Sequence, residues 1–372
     1  MRIGVPKEIK NHEYRVGLTP ASVGEYVRAG HQVCVQSGAG DGIGVTDAAY
    51  VRAGATVVPT AEEVFSTAQM IVKVKEPQES EWKLLNERHI LFTYLHLAPD
   101  PKQAQGLADS GCAAIAYETV TDARGGLPLL APMSEVAGRL AIEAAANCLR
   151  RSSGGKGLLI GGVPGVPPAR ILVIGGGVVG THAARMAVGL GAQVTIIERS
   201  LDRLRALDEL FAGRVCTRAS NYTALEEEVI ASDVVVGAVL IPGASAPKLV
   251  SREVLKQMRS KSVLVDVAID QGGCFETSRP TTHEDPTYEV DGIIHYCVAN
   301  MPGSVPVTSA QALNNATLPF GLALANRGLD ALTSDVHLRQ GLNLFRGRFT
   351  NRAVAEALSV AWQAPEQALG LN

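Results

Sequence analysis

Between Arg170 and Glu198 the chain carries residues suited to holding a phosphate. Gly175, Gly177 and Gly180 stand at the G-x-G-x-x-G spacing, directly after the apolar run Arg170 to Ile174. Ala183, Met186, Ala187 and Leu190 then recur at helical spacing, and a second apolar run, Val194 to Ile197, ends on Glu198. Each part has a task. Gly175 permits a tight turn, Gly177 lets the backbone approach a pyrophosphate with no Cβ in the way, and Gly180 lets the helix pack closely on the strand. The helix N-terminus, with Val178 and Val179, offers unpaired N–H groups and a partial positive charge to the phosphates. Glu198 would accept hydrogen bonds from a ribose diol and repel a 2′-phosphate, favouring NAD over NADP. Arg199 beside it weakens that preference without cancelling it. Glycines alone collect in any turn; strand, glycines, helix, strand and acid in this order specify a dinucleotide.

Ligands of open α/β sheets bind beyond the carboxyl ends of the strands. That rule picks out four more side chains. Arg15 lies in the polar loop after the first apolar run, Lys75 follows IVKV, His96 follows LFTYL, and Asp270 ends VLVDVAID. Two cations, an imidazole and a carboxylate are suitable tools for a small anionic substrate. Each also has a plainer reading. Arg15 and Lys75 could be solvated charges, His96 a satisfied core histidine, and Asp270 a cap on the turn into Gly272 and Gly273.

The elements that must position these residues alternate throughout. Strands are expected at Arg2 to Val5, Gln32 to Gln36, Met70 to Val74, Ile90 to Leu95 and Cys112 to Tyr117. Helices are expected between them at Pro20 to Ala29, Ala61 to Ala68, Ser80 to Asn86 and Pro101 to Ser110. Such alternation predicts an α/β fold with mainly parallel sheets covered on both faces. An Ala-rich helix with Ser134 near its N-cap crosses to the second domain, and the Gly-, Ser- and Pro-rich stretch Ser152 to Pro168 is a loop before the glycine strand. Further strands at Asp233 to Ile241, Ser262 to Ile269 and Gly292 to Ala299 complete a doubly wound Rossmann sheet. A helical pattern resumes near Thr308, and Asn351 to Trp362 gives another helix. This tail is read as having no strand partners and as returning to the first domain. The expectation is therefore two domains: a discontinuous α/β domain of Rossmann or flavodoxin type, 1–128 plus 306–372, and a Rossmann NAD-binding domain, 129–305.

Composition sets the outer limits. A length of 372 residues suits two or three domains, and 46% hydrophobic against 19% charged residues describes a globular chain. A formal net charge of −3 leaves no footprint for nucleic acid or an anionic membrane. No apolar run approaches the roughly 20 residues of a membrane helix, and no signal-peptide core opens the chain. The six cysteines form no C-x-x-C pair and read as buried reduced thiols of a cytoplasmic protein.

Longer segments carry a resemblance. GVPKEIKNHEYRVGLTP (Gly4 to Pro20) resembles the N-terminal signature shared by alanine dehydrogenases and the soluble nucleotide-binding part of proton-translocating transhydrogenases. GAVLIPGASAPKLV (Gly237 to Val250), VDVAIDQGGCFETSRPTTH (Val265 to His283) and YCVANMPGSVP (Tyr296 to Pro306) are similar to alanine dehydrogenase segments, and the likeness runs over nearly the whole chain. It implies reversible conversion of L-alanine, NAD and water to pyruvate, ammonium and NADH. By that resemblance Arg15 and Lys75 hold the substrate carboxylate and carbonyl, the former by a bidentate guanidinium. His96 is the general acid/base, and Asp270 helps activate water or ammonia. Leu130 and Met133 lie near the substrate methyl. Ser134 and Ser220 contact the dinucleotide, Arg203 its adenosine end, and Val239 and Leu240 the adenine side. Val267, Asp270, Val298, Ala299, Asn300 and Met301 surround the nicotinamide and its ribose, and Arg279 falls in a matching segment.

Two departures stand out. The family commonly has Asp where this chain has Glu198. Some members bind a divalent ion through an acid and a histidine where this chain has Ala323 and Arg327, so no metal is expected there. The resemblance also implies a homo-oligomer, a hexamer. The main alternative is a transhydrogenase component that passes hydride to a partner's nucleotide and never turns over an amino acid. A dehydrogenase forming a secondary amine such as saccharopine and a non-catalytic NAD sensor are further alternatives.

Overall fold

The computed structural model describes residues 1–239 and 246–371. The chain forms two compact units, Met1–Met133 with Gly303 onward, and Ser134–Pro302. The first begins with β1 (Arg2–Val5), β2 (Gln32–Gln36), β3 (Thr56–Val58), β4 (Met70–Val72), β5 (Ile90–Thr93) and β6 (Ala113–Ala116), all parallel in the order β6-β5-β4-β1-β2-β3. Ile3 lies opposite Met70, Met70 opposite Ile90, and Ile90 opposite Ala113. That register sets the carboxyl ends of four neighbouring strands side by side. The helices between them carry the capping signals legible in the sequence. Thr19 caps Pro20–Arg28, with proline in the first turn, and Asp100 accepts from Gln103 N at 3.0 Å to open Pro101–Ser110, which Gly111 ends at φ +69°.

In the second unit follow β7 (Arg170–Ile174), β8 (Gln193–Glu198), β9 (Cys216–Ala219), β10 (Val234–Gly237), β11 (Val263–Asp266), β12 (Thr287–Val290) and β13 (Ile293–Tyr296). Their order is β12-β13-β11-β10-β7-β8-β9, parallel except for β12. The strand order reverses between β7 and β10, so the switch point of the sheet falls where β7 runs into Gly175. Alternate strand residues divide between two cores. Ile171, Val173, Val234 and Val236 pack with Ala183 and Ala187 on one face; Leu172, Val235 and Leu264 pack with Val254 and Leu255 on the other.

The chain then returns to the first unit through helix Pro306–Arg327. The tail does have strands: β14 (Leu342–Phe345) pairs antiparallel with β6, and β15 (Arg348–Phe349) with β14. Leu342 and Leu344 are fully buried against the sheet edge, and β15 needs only a turn to pair antiparallel with β14. The helix expected at Asn351 to Trp362 is shorter, Arg352–Leu358, capped by Asn351 and stopped where Ser359 turns to φ +56°, and a short helix Pro365–Ala368 follows.

Other corrections concern the site's supports. Helix Ala131–Cys148 starts three residues before Ser134, which sits inside its first turn and is not the cap. β11 stops at Asp266, so Asp270 lies in the 3-10 turn Val267–Gln271 and not at a strand end. All six cysteines are free thiols, but only four are buried: Cys34 in β2 is half-buried and Cys216 is exposed at the start of β9.

Candidate active site

Three of the four chemically suited side chains come together in the first unit, on the loops after β1, β4 and β5. Arg15 is 2% exposed. Glu13, two residues earlier, meets it edge-on: Nε donates to Oε1 at 2.6 Å, Nη2 to Oε2 at 2.5 Å, and the Arg15 backbone N–H to Oε1 at 3.0 Å. Nη1 points to Met133 Sδ at 3.0 Å. Burial works against the guanidinium charge, but Glu13 outweighs it and holds the pKa above the ordinary arginine value. Glu13 thus takes the Nε edge of the fork, and the Nη1–Nη2 edge is the one beside Met133.

Lys75 is buried and its Nζ lies 3.5 Å from His96 Nε2. Its neighbour Glu76 accepts a hydrogen bond from Lys10, and Glu76 Oε2 lies 3.8 Å from Lys75 Nζ. His96 adopts φ +47°, an uncommon conformation outside glycine. The turn is pinned by Glu118 after β6, whose Oε1 accepts from His96 N at 2.7 Å and from Leu95 N at 3.1 Å. Gln103 Nε2 fastens it from the other side, donating to Leu95 O at 2.8 Å. The imidazole is 35% exposed, with Nδ1 3.9 Å from Glu118 Oε1 and the Tyr94 ring 5.7 Å away between centroids. A histidine satisfied in a core would be neither that exposed nor held by a backbone of this kind. Tyr94 donates to Leu129 O at 2.6 Å, tying this turn to the segment of half-buried Leu130 and buried Met133.

Deeper in the same unit, Lys73 is fully buried between Glu8 (3.1 Å) and Glu81 (2.7 Å). Burial raises the Glu8 carboxyl to about 7, against the pull of Lys73. Sequence reasoning missed Glu8, Glu13, Glu76, Glu81 and Glu118. Two of them stand beside a chosen cation in the chain, as in HEYR and KE, and that adjacency was the available signal.

Asp270 belongs to the second unit, exposed in its 3-10 turn, which half-buried Val267 opens. Asp266, fully buried at the end of β11, fixes that turn. It accepts from Ala268 N (3.2 Å), Cys274 N (2.7 Å), Phe275 N (3.4 Å) and Ser278 Oγ (2.5 Å).

The glycine turn of the second unit fits a dinucleotide phosphate. Gly175 has φ +99°. A Cβ on Gly180 would fall 1.8 Å from Gly175 O, whereas one on Gly177 would meet no atom of the described residues within 4 Å. Helix Val178–Gly189 opens at Gly177 with no side chain capping it, half-buried Val179 packs against the core, and Val178 is exposed. The peptide of Gly176 is held on both sides. Its N–H donates to Glu198 Oε2 at 2.8 Å, and its carbonyl accepts from Arg203 Nε at 2.6 Å while Arg203 Nη2 reaches Thr181 Oγ1 at 2.7 Å. Glu198 Oε1 also accepts from Arg199 N and Ser200 N, at 2.7 and 3.0 Å. Although burial opposes its charge, these backbone donors and Arg203 keep the Glu198 carboxyl below the usual range. Glu198 and Arg203 therefore brace the turn itself, and any ribose contact is additional.

The remaining cofactor candidates are scattered around this unit. Ser220 is exposed after β9 and donates through its backbone to Glu198 O at 2.9 Å. Val239 Cγ2 lies 3.1 Å from where a Gly175 Cβ would sit, and Leu240 is outside the described residues. Arg279 lies over the Tyr288 ring at 4.0 Å. Val298 and Met301 are buried in the core, with half-buried Ala299 and Asn300, the latter at φ +57°, between them. Among the described residues no group of three or more His, Cys, Asp or Glu is placed to hold a metal ion, and no helix is long and apolar enough to cross a membrane.

Comparison with known proteins adds a family. Residues 4–137 match the family model described as alanine dehydrogenase/PNT, N-terminal domain, and residues 141–352 match the corresponding C-terminal domain. Alanine dehydrogenase from Halomonas elongata is 56% identical over 371 residues, covering 100% of both chains. The enzyme of that name from Methanococcus maripaludis is 54% identical, covering 99% of this chain and 100% of the other. A solved L-alanine dehydrogenase superposes with a TM-score of 0.93 at 52% identity, covering 96% of this chain and 99% of that one. A transhydrogenase from Sinorhizobium meliloti gives a TM-score of 0.80 over 95% of this chain and 100% of that one, but at 24% identity it speaks for the fold alone.

Proposed function

Because this chain belongs to the alanine dehydrogenase/PNT family, we propose that it catalyses the reversible oxidative deamination of L-alanine with NAD and water to pyruvate, ammonium, NADH and a proton. The observation that carries the reading is the grouping of Arg15, Lys75 and His96 on neighbouring strand ends, with Lys75 Nζ 3.5 Å from His96 Nε2. The Nη edge of Arg15 binds the substrate carboxylate, and Met133 at that edge limits the side chain to something near a methyl. Lys75 holds the oxygen at the substrate's second carbon. His96 takes a proton from the carbinolamine oxygen as it collapses to the carbonyl, and returns it in the reverse direction; the charge of Lys75 beside it favours the neutral imidazole that deamination requires. Asp270 helps activate water or ammonia. NAD, when bound, accepts the hydride from the substrate's α-carbon. Gly175, Gly177 and Gly180 with the N-terminus of helix Val178–Gly189 would hold its pyrophosphate, and Glu198 its ribose. A cytoplasmic homo-oligomer, a hexamer as the family resemblance implies, is part of the same proposal.

NADH formation with a panel of small L-amino acids, each run with NAD and NADP, tests the substrate and the cofactor. Alanine with NAD should lead. Glycine, serine and 2-aminobutyrate should follow within the range set by about 1–3 kcal/mol per methylene. His96→Ala should cost at least ~10²-fold in turnover while leaving NADH binding intact. NADH affinity with no turnover on any amino acid would return the transhydrogenase alternative.

A further inference from the structure

Lys75 and His96 stand close enough, at 3.5 Å, that protonating the imidazole beside the ammonium is strongly disfavoured unless an anion lies near. Two anions flank the pair. Glu118 lies 3.9 Å from His96 Nδ1, and Glu76 Oε2 lies 3.8 Å from Lys75 Nζ. Beyond Glu76, on the loop after β1, Lys10 donates to its other oxygen. The side chains therefore form a connected series: partly exposed Lys10, buried Glu76 and Lys75, then half-buried His96 and Glu118. Tyr94, just after β5, sets its ring 5.7 Å from the His96 imidazole between centroids. Lys73, Glu8 and Glu81 pair among themselves, as do Arg15 and Glu13.

We propose that Glu76 is a positioning residue for proton transfer: acting through Lys75, it sets the pH range over which His96 holds its proton, and Lys10 trims that influence from outside. The proposal rests on the reading of His96 as the acid/base. Glu76 suits the part because it is a fixed charge. Burial opposes its ionisation, yet Lys75, His96 and Lys10 hold its carboxyl down at about 2, so it stays anionic at any working pH. It is also buried, so salt screens it little, whereas the Lys10 side chain is 39% exposed.

The two outer members of the chain make opposite predictions. In Glu76→Gln the ammonium of Lys75 is left uncompensated and the imidazolium becomes harder to form. The acid limb of kcat/KM for alanine, where protonation of His96 halts deamination, should move to lower pH by about one unit. In Lys10→Gln a distant positive charge is lost, and the limb should move to higher pH by less than about half a unit. A limb that stays in place in Glu76→Gln while the rate falls uniformly, or limbs that move the same way in both variants, would overturn the proposal. If Glu76→Gln does not fold, Lys10→Gln decides: an upward shift supports the proposal, and none or a downward one overturns it. The profile of His96→Ala separates this from the underlying reading. The same limb at near-full turnover there removes His96 as acid/base. A limb lost there but unmoved in Glu76→Gln removes only the role of Glu76.

Discussion

The two units fix their charged and polar groups by different means. In the second unit the backbone does it. The Gly176 peptide is fixed by Glu198 on one side and Arg203 on the other, and the donors for phosphate are N–H groups at a helix end no side chain caps. In the first unit side-chain charges do it, each neutralised by a buried acid: Glu13 on Arg15, Glu76 on Lys75, Glu8 and Glu81 on Lys73. A backbone cradle is a steric object and fails when a methyl is added in the wrong place. A compensated cation is an electrostatic object and fails when its partner loses charge. Substitutions in each unit should therefore fail in different observables.

The largest effect should come from Gly180→Val. Its Cβ would sit 1.8 Å from the carbonyl oxygen of Gly175, a backbone atom that cannot swing aside. We expect the variant to lose at least ~3 kcal/mol of stability and to lose NADH binding with it. A thermal melt and an NADH fluorescence titration read both. Native melting with native affinity would break the contrast, because the cradle would then be deformable.

Glu13→Gln probes the other unit and should rank second. The substitution keeps the shape of Glu13 and removes the charge from a pair whose side chains are 1% and 0% exposed. Breaking a buried pair by removing one partner costs about 3–5 kcal/mol. Part of that cost should appear as lowered stability. The rest should appear as a pyruvate KM raised by at least ~10-fold, since an uncompensated guanidinium no longer holds its orientation. NADH affinity should not change. A KM that stays put would mean that Arg15 needs no help from Glu13 to present its Nη edge.

The same contrast explains what the sequence disclosed. Steric demands write themselves into residue types at fixed spacing, so the glycine turn, the helix after it and Glu198 were legible from one chain, whereas β9 and β12 of the same sheet were not. Charge compensation writes no spacing. Lys10 and Glu76 are 66 residues apart, and Leu95 and Glu118 are 23 apart, and only the parallel register of β1, β4, β5 and β6 brings them together. The strand-end rule picks out Arg15, Lys75 and His96 because it is a rule about topology, and it could not name the acids beside them. Asp270 was misplaced for a related reason. VLVDVAID is uniformly apolar apart from its acids, so nothing in its periodicity marks where β11 stops; Asp266 stops it by turning its carboxylate back onto four donors downstream. The β14 edge was missed because LNLF, four residues with three of them apolar, carries no more strand signal than helix signal.

Gly177→Ala should give the smallest effect and the sharpest one. The glycines of the cradle are not constrained alike. Gly177 has φ −67°, which any residue adopts, and its Cβ would touch nothing among the described residues. If the protein alone decided that residue, alanine would do as well or better, because it restricts the unfolded chain. What glycine secures there is the approach of a ligand's phosphate to the backbone. Gly177→Ala should therefore melt within about 0.5 kcal/mol of the parent, or slightly above it, while its NADH Kd rises about 10-fold. Alanine KM measured at saturating NAD should stay within about twofold, since no group of the first unit is touched. Unchanged affinity would mean that the pyrophosphate does not come close at Gly177, and the glycine spacing would then owe its form to packing at Gly175 and Gly180 alone.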